Sequence, residues 1–591
     1  MPLIVQKFGG TSVADSQKIL AAARRAIRAQ QAGNQVVMVV SAMGHNTDML
    51  VDLAQQINDD PPAREMDMLL STGEQVSVAL MAMAVEALGA KAISFTGAQI
   101  GIKTDSTHTK ARIRSISTER MRKALDEGRI VIAAGFQGID EDYNITTLGR
   151  GGSDTTAVAL AAVLNADACE IYTDVDGVYT TDPRLLPEAR RMTRVSYDEM
   201  LELASLGAGV MHSRSIEFGK KFDVPIHVRS SFTDIPGTMI VAESEVPGQA
   251  VGGAALTKDE ARVTVASLPD RPGTSLALFS KIAAKNISVD MIVQNVGADG
   301  KADISFTVVR NDLQNTLRAV EEAARELGAG GVSHDDNVSK VSVVGLGMAT
   351  QTGVADRMFR ALAKAGVNIV MITTSEIKIS VLVSREHSQA ALRAVHQAFE
   401  LEKPPVQPVV ATTSQPSAAP SDIMAVVRRL QGMEDLTIDD VTLDDRQARV
   451  TITGVPDAPG VAAQVFEEVA AAGVFVDMIV QSYGAGGKAD LSFTAPHKSL
   501  KTSLEVAERL AKQFGCRGVT YATKVAKLSV SGIGMRSHTE VAIRMFRCLA
   551  DAGINVEMIN TSEVRVNVVV DGAAGEKALA CLQAAFQDVR G

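Results

Sequence analysis

The stretch LIVQKFGGTSVADSQKILAAARRAIRAQQAGNQVVMVVSA, residues 3–42, decides how the first part of the chain folds. An apolar, β-branched run, LIVQKF (3–8), stops at two glycines. A helical pattern, SQKILAAARRAIRAQQAG (16–33), follows and ends at Gly33, and a second apolar run, VVMVVSA (36–42), comes next. Short apolar runs closed by Gly or Ser, alternating with helical segments, read as parallel strands joined by crossover helices. The alternation continues through KAISFTG (91–97), RIVIAAGF (129–136), TTAVALAAVLNA (155–166), EIYTDVDG (170–177) and PIHVRSS (225–231). An α/β sheet with helices on both faces is expected over roughly the first 240 residues. In such sheets ligands bind at the carboxyl ends of the strands, where the Gly-rich turns fall.

The rest of the chain repeats. DMIVQN (290–295) returns as DMIVQS (477–482), and GKADISFT (300–307) as GKADLSFT (487–494). VSVVGLGM (341–348) returns as LSVSGIGM (528–535), and TSEI (374–377) as TSEV (561–564). One ungapped offset of 187 residues relates all four blocks, which marks a tandem duplication. A fainter period of about 80 residues inside each copy relates Pro272-Gly273 and NISVDMIVQN to Thr352-Gly353 and VNIVMITTS. Four modules result, in two pairs. In the first, RVTVASL (262–268) reads as a strand, DRPG (270–273) as a turn and SLALFSKIAAKN (275–286) as a helix, with ISVDMIVQNV and ADISFTVV as strands. This is a βαββαβ unit whose antiparallel sheet is covered on one face. Its open edges predict pairing between modules. EKPPVQPVVATTSQPSAAPS (402–421) reads as an extended linker between the pairs.

Composition narrows the function. A chain of 591 residues spans several domains at roughly 100–200 residues each. Its net charge of −10, its 4% aromatics and its lack of Trp argue against a dedicated nucleic-acid binder. Four scattered cysteines without a CxxC exclude a disulfide scaffold and make a zinc ribbon unexpected. The start MPLIVQKFGG does not read as a signal peptide, and no run approaches the roughly 18 apolar residues of a membrane span. A soluble, cytoplasmic protein is expected.

KFGGTSV (7–13) follows the first strand. Gly9 and Gly10 allow backbone N–H groups to approach phosphate, and Lys7 can supply charge to a transferring group. A plain glycine turn with a solvated lysine is the competing reading. TTLGRGGSDTTA (146–157) is a second Gly-rich loop before a helix: Gly149, Gly151 and Gly152 leave room for a ligand, and Arg150 can grip a carboxylate through two bonds. One of Ser153 and Asp154 is expected to cap the helix. TDVDGVYTTDPR (173–184) holds Asp174, Asp176 and Asp182 but lacks the pattern of a calcium loop. STGEQVS (71–77) places Glu74 at an expected helix start, where an acid could simply answer the helix dipole. No protein metal site is expected, and His212 has no ligand spacing.

Together KFGGTSV, SAMG (41–44), REMDMLLSTGE (64–74), SFTG (94–97), GFQG (135–138), TTLGRGGSDTTAVALAA (146–162) and EIYTDVDGVYTTDPR (170–184) resemble the aspartate kinases. The resemblance implies an amino-acid kinase α/β/α sandwich with a mainly parallel sheet (1–245). It implies Mg-ATP-dependent phosphorylation of the side-chain carboxylate of L-aspartate to 4-phospho-L-aspartate, which opens the route to lysine, threonine and methionine. Carried over by motif, Lys7, Gly9, Gly10 and Ser41 contact phosphates. Thr173, Asp174, Tyr179, Asp182, Pro183 and Arg184 line the nucleotide site. Glu74 holds the substrate amino group and Arg150 its α-carboxylate, assisted by Thr47, Gly151, Gly152 and Ser153, while Asp154 orients Lys7. Gly209 stands where many relatives carry a nucleotide-contacting lysine.

The βαββαβ modules resemble ACT domains, at 262–337, 338–401, 446–523 and 524–591 around a linker at 402–445. The implied effectors are lysine and threonine. Asp270, Gly273, Gln294 and Asn295 belong to one expected pocket and Asp457, Gly460, Gln481 and Ser482 to its duplicate, with Thr374, Ser375, Thr561 and Ser562 on the partner modules. Val370 corresponds to Glu557, and Asn295 to Ser482, across the duplication. A homodimer through the ACT modules is expected, and nothing after the last module reads as a second enzyme. The alternatives are another amino-acid kinase, of the glutamate or N-acetylglutamate type, and a non-catalytic amino-acid sensor.

Overall fold

The computed structural model describes residues 1–208, 210–245, 249–296, 300–349, 351–405, 434, 436–483, 487–535 and 540–590. They form two compact units: Met1–Tyr179 with Arg191–Val246 and Pro405–Asp435, and Thr180–Arg190 with Pro247–Pro404 and Leu436–Gly591.

The first unit is built on an eight-stranded sheet. Its order is Arg194–Ser196, Thr238–Val241, Ile226–Ser230, Ala168–Thr173, Leu3–Phe8, Gln35–Val40, Ile130–Ala134 and Ala92–Phe95. The pairings are parallel except between Ile226–Ser230 and Thr238–Val241. Lys7 stands opposite Val39 and Ile171, so the turns after these three strands leave the sheet at one edge. Both faces are buried. Phe8, Met38, Val40 and Ile132 share a core with Ile19, Ala22, Ala23 and Ala26 of helix Ser16–Gln31. That helix starts at Asp15, whose carboxylate accepts from Lys18 N–H, and the chain leaves it through Gly33 at positive φ. Helix Gly152–Leu164 packs on the central strands and is buried almost all round.

Three features differ from the sequence reading. A second sheet of four very short strands, Ile113–Ser115, Lys103–Thr104, Gln137–Ile139 and Ile145–Thr147, has no counterpart among the expected elements. Two or three residues carry no period-2 signal to read. Helix Ala63–Ala87 is long and apolar enough to cross a membrane by length and composition, contrary to the expectation that no segment comes near this. It carries Asp67 and Glu74, both buried in protein contact, and is a core helix. Glu74 also lies in the fourth turn of this helix rather than at its start, so the dipole reading of Glu74 falls.

The second unit holds the modules in one twelve-stranded sheet. The first module follows its predicted order: strand Gly253–Pro269, helix Thr274–Ala283, strands Asp290–Val296 and Lys301–Val309, helix Leu313–Leu327 and strand Gly331–Val344. The long strands serve two modules each. Gly253–Thr257 pairs with Lys340–Val344 and so completes the sheet of the second module, and the register shifts before the same strand pairs within the first. Thr437–Asp444 does the same for the fourth module, pairing with Lys527–Ile533. The assigned linker, 402–445, is therefore strand from Thr437 onward, while 406–433 and 435 lie outside the described residues.

The modules pair differently from the expectation. Strand Met371–Thr374 of the second module lies antiparallel to Ile479–Tyr483 of the third, and these two share a core that includes Phe359, Phe466 and Phe493. The first and fourth share another, around Phe279, Phe306, Phe546 and Phe586. The pairs thus join modules across the linker instead of within each copy. A smaller core gathers one methionine from each module, Met291, Met371, Met478 and Met558, all at most 2% exposed. Each occupies the same repeat position, and truncating any of them to Ala costs about 2–5 kcal/mol.

Candidate active site

Lys7, next to last in the first strand, places its Nζ 2.6 Å from Asp154 Oδ1, and both side chains are nearly buried. Asp154 sits in the first turn of helix Gly152–Leu164. The N-cap there is Gly151 and no side chain caps the terminus, which corrects the expectation that Ser153 or Asp154 does so. Thr155 and Thr156 instead donate their hydroxyls back to Gly151 O and Gly152 O. The uncapped N-terminus carries partial positive charge toward the same edge as Lys7.

Gly10 belongs here for a steric reason. A Cβ on it would stand 2.8 Å from Ala42 O, and its carbonyl accepts from Gly44 N–H at 3.0 Å. The two turns after neighbouring strands, 9–12 and 41–44, are thus locked together, with Ser41 half-buried between them. Glu74 approaches from the long helix: its Oε1 accepts from Ala42 N–H at 3.2 Å, while its buried Oε2 has no hydrogen-bond partner. Burial pushes the Glu74 pKa up to about 7, against the pull of the backbone N–H groups near it. Thr47 lies half-buried in the first turn of helix Asn46–Ile57, beyond the same 41–44 turn.

The second Gly-rich loop places Gly149 and Gly151 in left-handed conformations. A Cβ on Gly151 would lie 2.3 Å from His212 Cβ, so only glycine fits. Arg150 between them is exposed, and Ser153 is buried against Gly135. At the end of strand Ala168–Thr173, Thr173 donates its hydroxyl to the exposed Asp174. Tyr179 donates to Asp176, which also faces Arg191 at 3.6 Å, so Asp176 serves the turn. Asp182, Pro183 and Arg184 fall in the second unit. Gly209 lies outside the described residues, as do the side chains of Asn295 and Ser482.

Two networks behind this site leave little trace in the sequence. Asp67, fully buried, accepts from Thr109 N–H, from the Thr147 hydroxyl at 2.5 Å and faces His108 Nδ1 at 2.7 Å. It ties the 105–110 loop to the strand that feeds Gly149. Arg214 donates to Leu148 O, Ala111 O and, through two bonds of 2.7 Å, to Glu434. Glu434 is in the segment assigned as linker, so that segment reaches the loop carrying Arg150. Asp67 lies inside REMDMLLSTGE and Arg214 inside ELASLGAGVMHSR. An acid on an otherwise apolar helix face is the available signal; nothing in the sequence points to Glu434.

In the repeated modules, Asp270 accepts from Asn555 and the Gln294 amide donates to Val556 O, both in the fourth module. Their duplicates behave alike: Asp457 accepts from Asn368 and Gln481 donates to Ile369 O, in the second. The Gly273 and Gly460 turns are left-handed and start the following helices. Thr374 and Ser375 line a cavity between the second and third modules, and Thr561 and Ser562 line its counterpart between the first and fourth.

A phosphate-type glycine turn with a buried Lys–Asp pair at the edge of a parallel sheet, joined to paired βαββαβ modules, defines an amino-acid kinase carrying ACT domains. The pattern of the amino acid kinase family matches residues 2–230, and ACT domain patterns match 262–328, 341–399 and 528–586. The chain belongs to the aspartate kinase family. It is 51% identical to an aspartate kinase of Stutzerimonas stutzeri over 406 residues, covering 68% of this chain and 98% of that one. It is 48% identical to an aspartokinase of Thermus thermophilus over 405 residues, covering 68% of this chain and all of that one. Among solved structures, aspartate kinase from Synechocystis matches with TM-score 0.52 and 41% identity, covering 99% of this chain and 98% of that one. Aspartokinase III of E. coli, in complex with aspartate and ADP, matches with TM-score 0.57 and 25% identity, covering 67% and 99%.

Proposed function

We propose that the chain phosphorylates the side-chain carboxylate of L-aspartate with ATP. The observation that carries this is the meeting of the Lys7–Asp154 pair, the Gly9–Gly10 turn and the unsatisfied Glu74 around one 41–44 turn. In this reading Gly9, Gly10, Ser41, Thr173, Asp174, Tyr179, Asp182, Pro183 and Arg184 bind the nucleotide. Arg150 takes the α-carboxylate, with Thr47, Gly151, Gly152 and Ser153 around it. Glu74 takes the ammonium, whose arrival favours the charged carboxylate and draws its pKa down.

An aspartate side-chain oxygen attacks the γ-phosphorus in line. The new P–O bond forms as the bond to the β-phosphate oxygen breaks, and the electron pair leaves with ADP. Lys7, held in direction by Asp154, neutralises charge on the oxygens in transit. No covalent enzyme intermediate is needed, so positioning and charge carry the rate. Mg2+ would be held largely by the nucleotide phosphates and water and would lower the charge of those phosphates. Among the described residues no three acidic, His or Cys side chains gather as a cage. Lysine, threonine or both are the effectors, at the interfaces that join the first module to the fourth and the second to the third. The chain works in the cytoplasm as a homodimer.

Trapping of the acyl phosphate with hydroxylamine tests the reaction. Hydroxamate that depends on both aspartate and Mg-ATP is expected; none with aspartate, or more with glutamate, overturns it. Light scattering at working concentration tests the dimer, which a monomer mass refutes.

A further inference from the structure

Residues 180–190 continue the kinase sequence, yet they pack in the second unit. This arm is anchored at its start. Thr180 is fully buried; its carbonyl accepts from Ala254 N–H at 2.7 Å and its hydroxyl accepts from Arg190 N–H at 3.0 Å. The same hydroxyl lies 3.0 Å from His396 Nε2. His396 stands on helix Ser388–Ala398 of the second ACT module and is itself fully buried. One face of that helix meets the arm twice, because Gln389, two turns before His396, donates its amide to Leu185 O at 3.2 Å. Leu186 is buried, and Leu185 packs on the core of the second and third modules. Between these anchors the arm displays Asp182 and Arg184. The Asp182 carboxylate accepts from Arg184 N–H and Nε and orients a guanidinium that stays 84% exposed.

Burial holds the His396 imidazole below the ordinary histidine range, so it is neutral near pH 7. With Nδ1 protonated, Thr180 donates its proton to Nε2, while Nδ1 lies 3.7 Å from the Glu402 carboxylate, beyond hydrogen-bond distance. The duplication supplies an internal control. The residue at the same place in the fourth module is Gln583, only half-buried. The buried histidine thus occurs in the copy whose helix holds an arm.

We propose that His396 is a positioning residue for the nucleotide: from the second ACT module it holds Thr180 and thereby sets the arm that carries Asp182, Pro183 and Arg184. The inference rests on the reading of those three residues as nucleotide contacts. It makes that module act on the affinity for MgATP rather than on that for aspartate.

The test is the pair of KM values, measured by hydroxamate formation on the full chain. His396→Leu is expected to raise KM for MgATP about tenfold and leave KM for aspartate within about twofold. His396→Gln, whose amide can reach the Thr180 hydroxyl, should recover most of the loss. Thr180→Val should reproduce the defect, and the double variant should be no worse than either single one. A fall in Tm with both KM values unmoved, equal rises in both, or additive single variants would overturn the proposal. Should His396→Leu not fold, Thr180→Val against His396→Gln decides it. Asp182→Ala separates the two layers: if it raises KM for MgATP while the His396 and Thr180 variants do not, only the positioning role fails. If it has no effect, the nucleotide reading of the arm fails and takes the proposal with it.

Discussion

Glu74 in the kinase unit and Lys340 in the regulatory unit are both almost fully buried charged residues, and they are treated in opposite ways. Lys340 Nζ sits 2.7 Å from Glu260 and 2.5 Å from Asp290. Burial alone would lower its pKa, but the two carboxylates outweigh it and hold the lysine above its ordinary value. Glu74 has a backbone N–H on one oxygen and no hydrogen-bond partner on the other, and its pKa climbs to about 7. A buried charge with a full set of partners specifies structure, whereas one left short is poised for a ligand. The duplication adds a gradation. Lys527, the counterpart of Lys340, meets Asp477 at 2.5 Å and Glu376 only at 3.9 Å, because Gln447 replaces Glu260.

The largest effect should come from the kinase side. Lys7→Ala should lower turnover by at least about a thousandfold while lysine and threonine still bind, as hydroxamate assays and calorimetry would show. Retained turnover would remove the functional half of the comparison. Lys340→Met strands two carboxylates and should cost about 3–5 kcal/mol in urea unfolding, with Glu260→Gln recovering part of it. An unchanged midpoint would mean that the triad is ornamental.

Glu74 links the comparison to pH. Its folded pKa is raised, so its contribution to stability is complete below about pH 4.5 and is lost as pH rises through about 7. Wild type should lose roughly 3 kcal/mol over that window relative to Glu74→Gln, and saturating aspartate should shrink the difference. Parallel pH curves for the two proteins would contradict this. The smallest effect is expected for Lys527→Met, which should cost less than Lys340→Met because fewer carboxylates are left unpaired; equal costs would show that Glu260 contributes nothing.

Much of the fold was legible. The six apolar runs of the first unit all became strands of its sheet, because strands buried on both faces leave continuous apolar stretches. The repeat of 187 residues marks out the modules on its own. The four-stranded sheet and the shared long strands were not legible, since short strands lack a period and a strand's second partner leaves no local trace. Among the residues expected in the site, Lys7, the glycine turns and Arg150 are legible by type and spacing. The mid-helix position of Glu74 is not legible: Gly73 beside it makes room for Ala42 across the site. Asp67, Arg214, Glu434 and His396 act through partners 41 to 321 residues away, a distance that no window of sequence spans.

By itself the sequence determined the periods, the turns and the residues able to carry charge to a phosphate, because these depend on local backbone chemistry and on the alternation of apolar and polar side chains. It left the partnership of the modules open. All four present a methionine at the same position and similar apolar faces, so pairing within a copy or across copies would bury comparable surface. Tertiary structure chose first with fourth and second with third. Strand Met371–Thr374 pairs with Ile479–Tyr483 across the copies, and bonds such as Gln294 to Val556 and Gln481 to Ile369 give buried amide nitrogens acceptors on the module from the other copy.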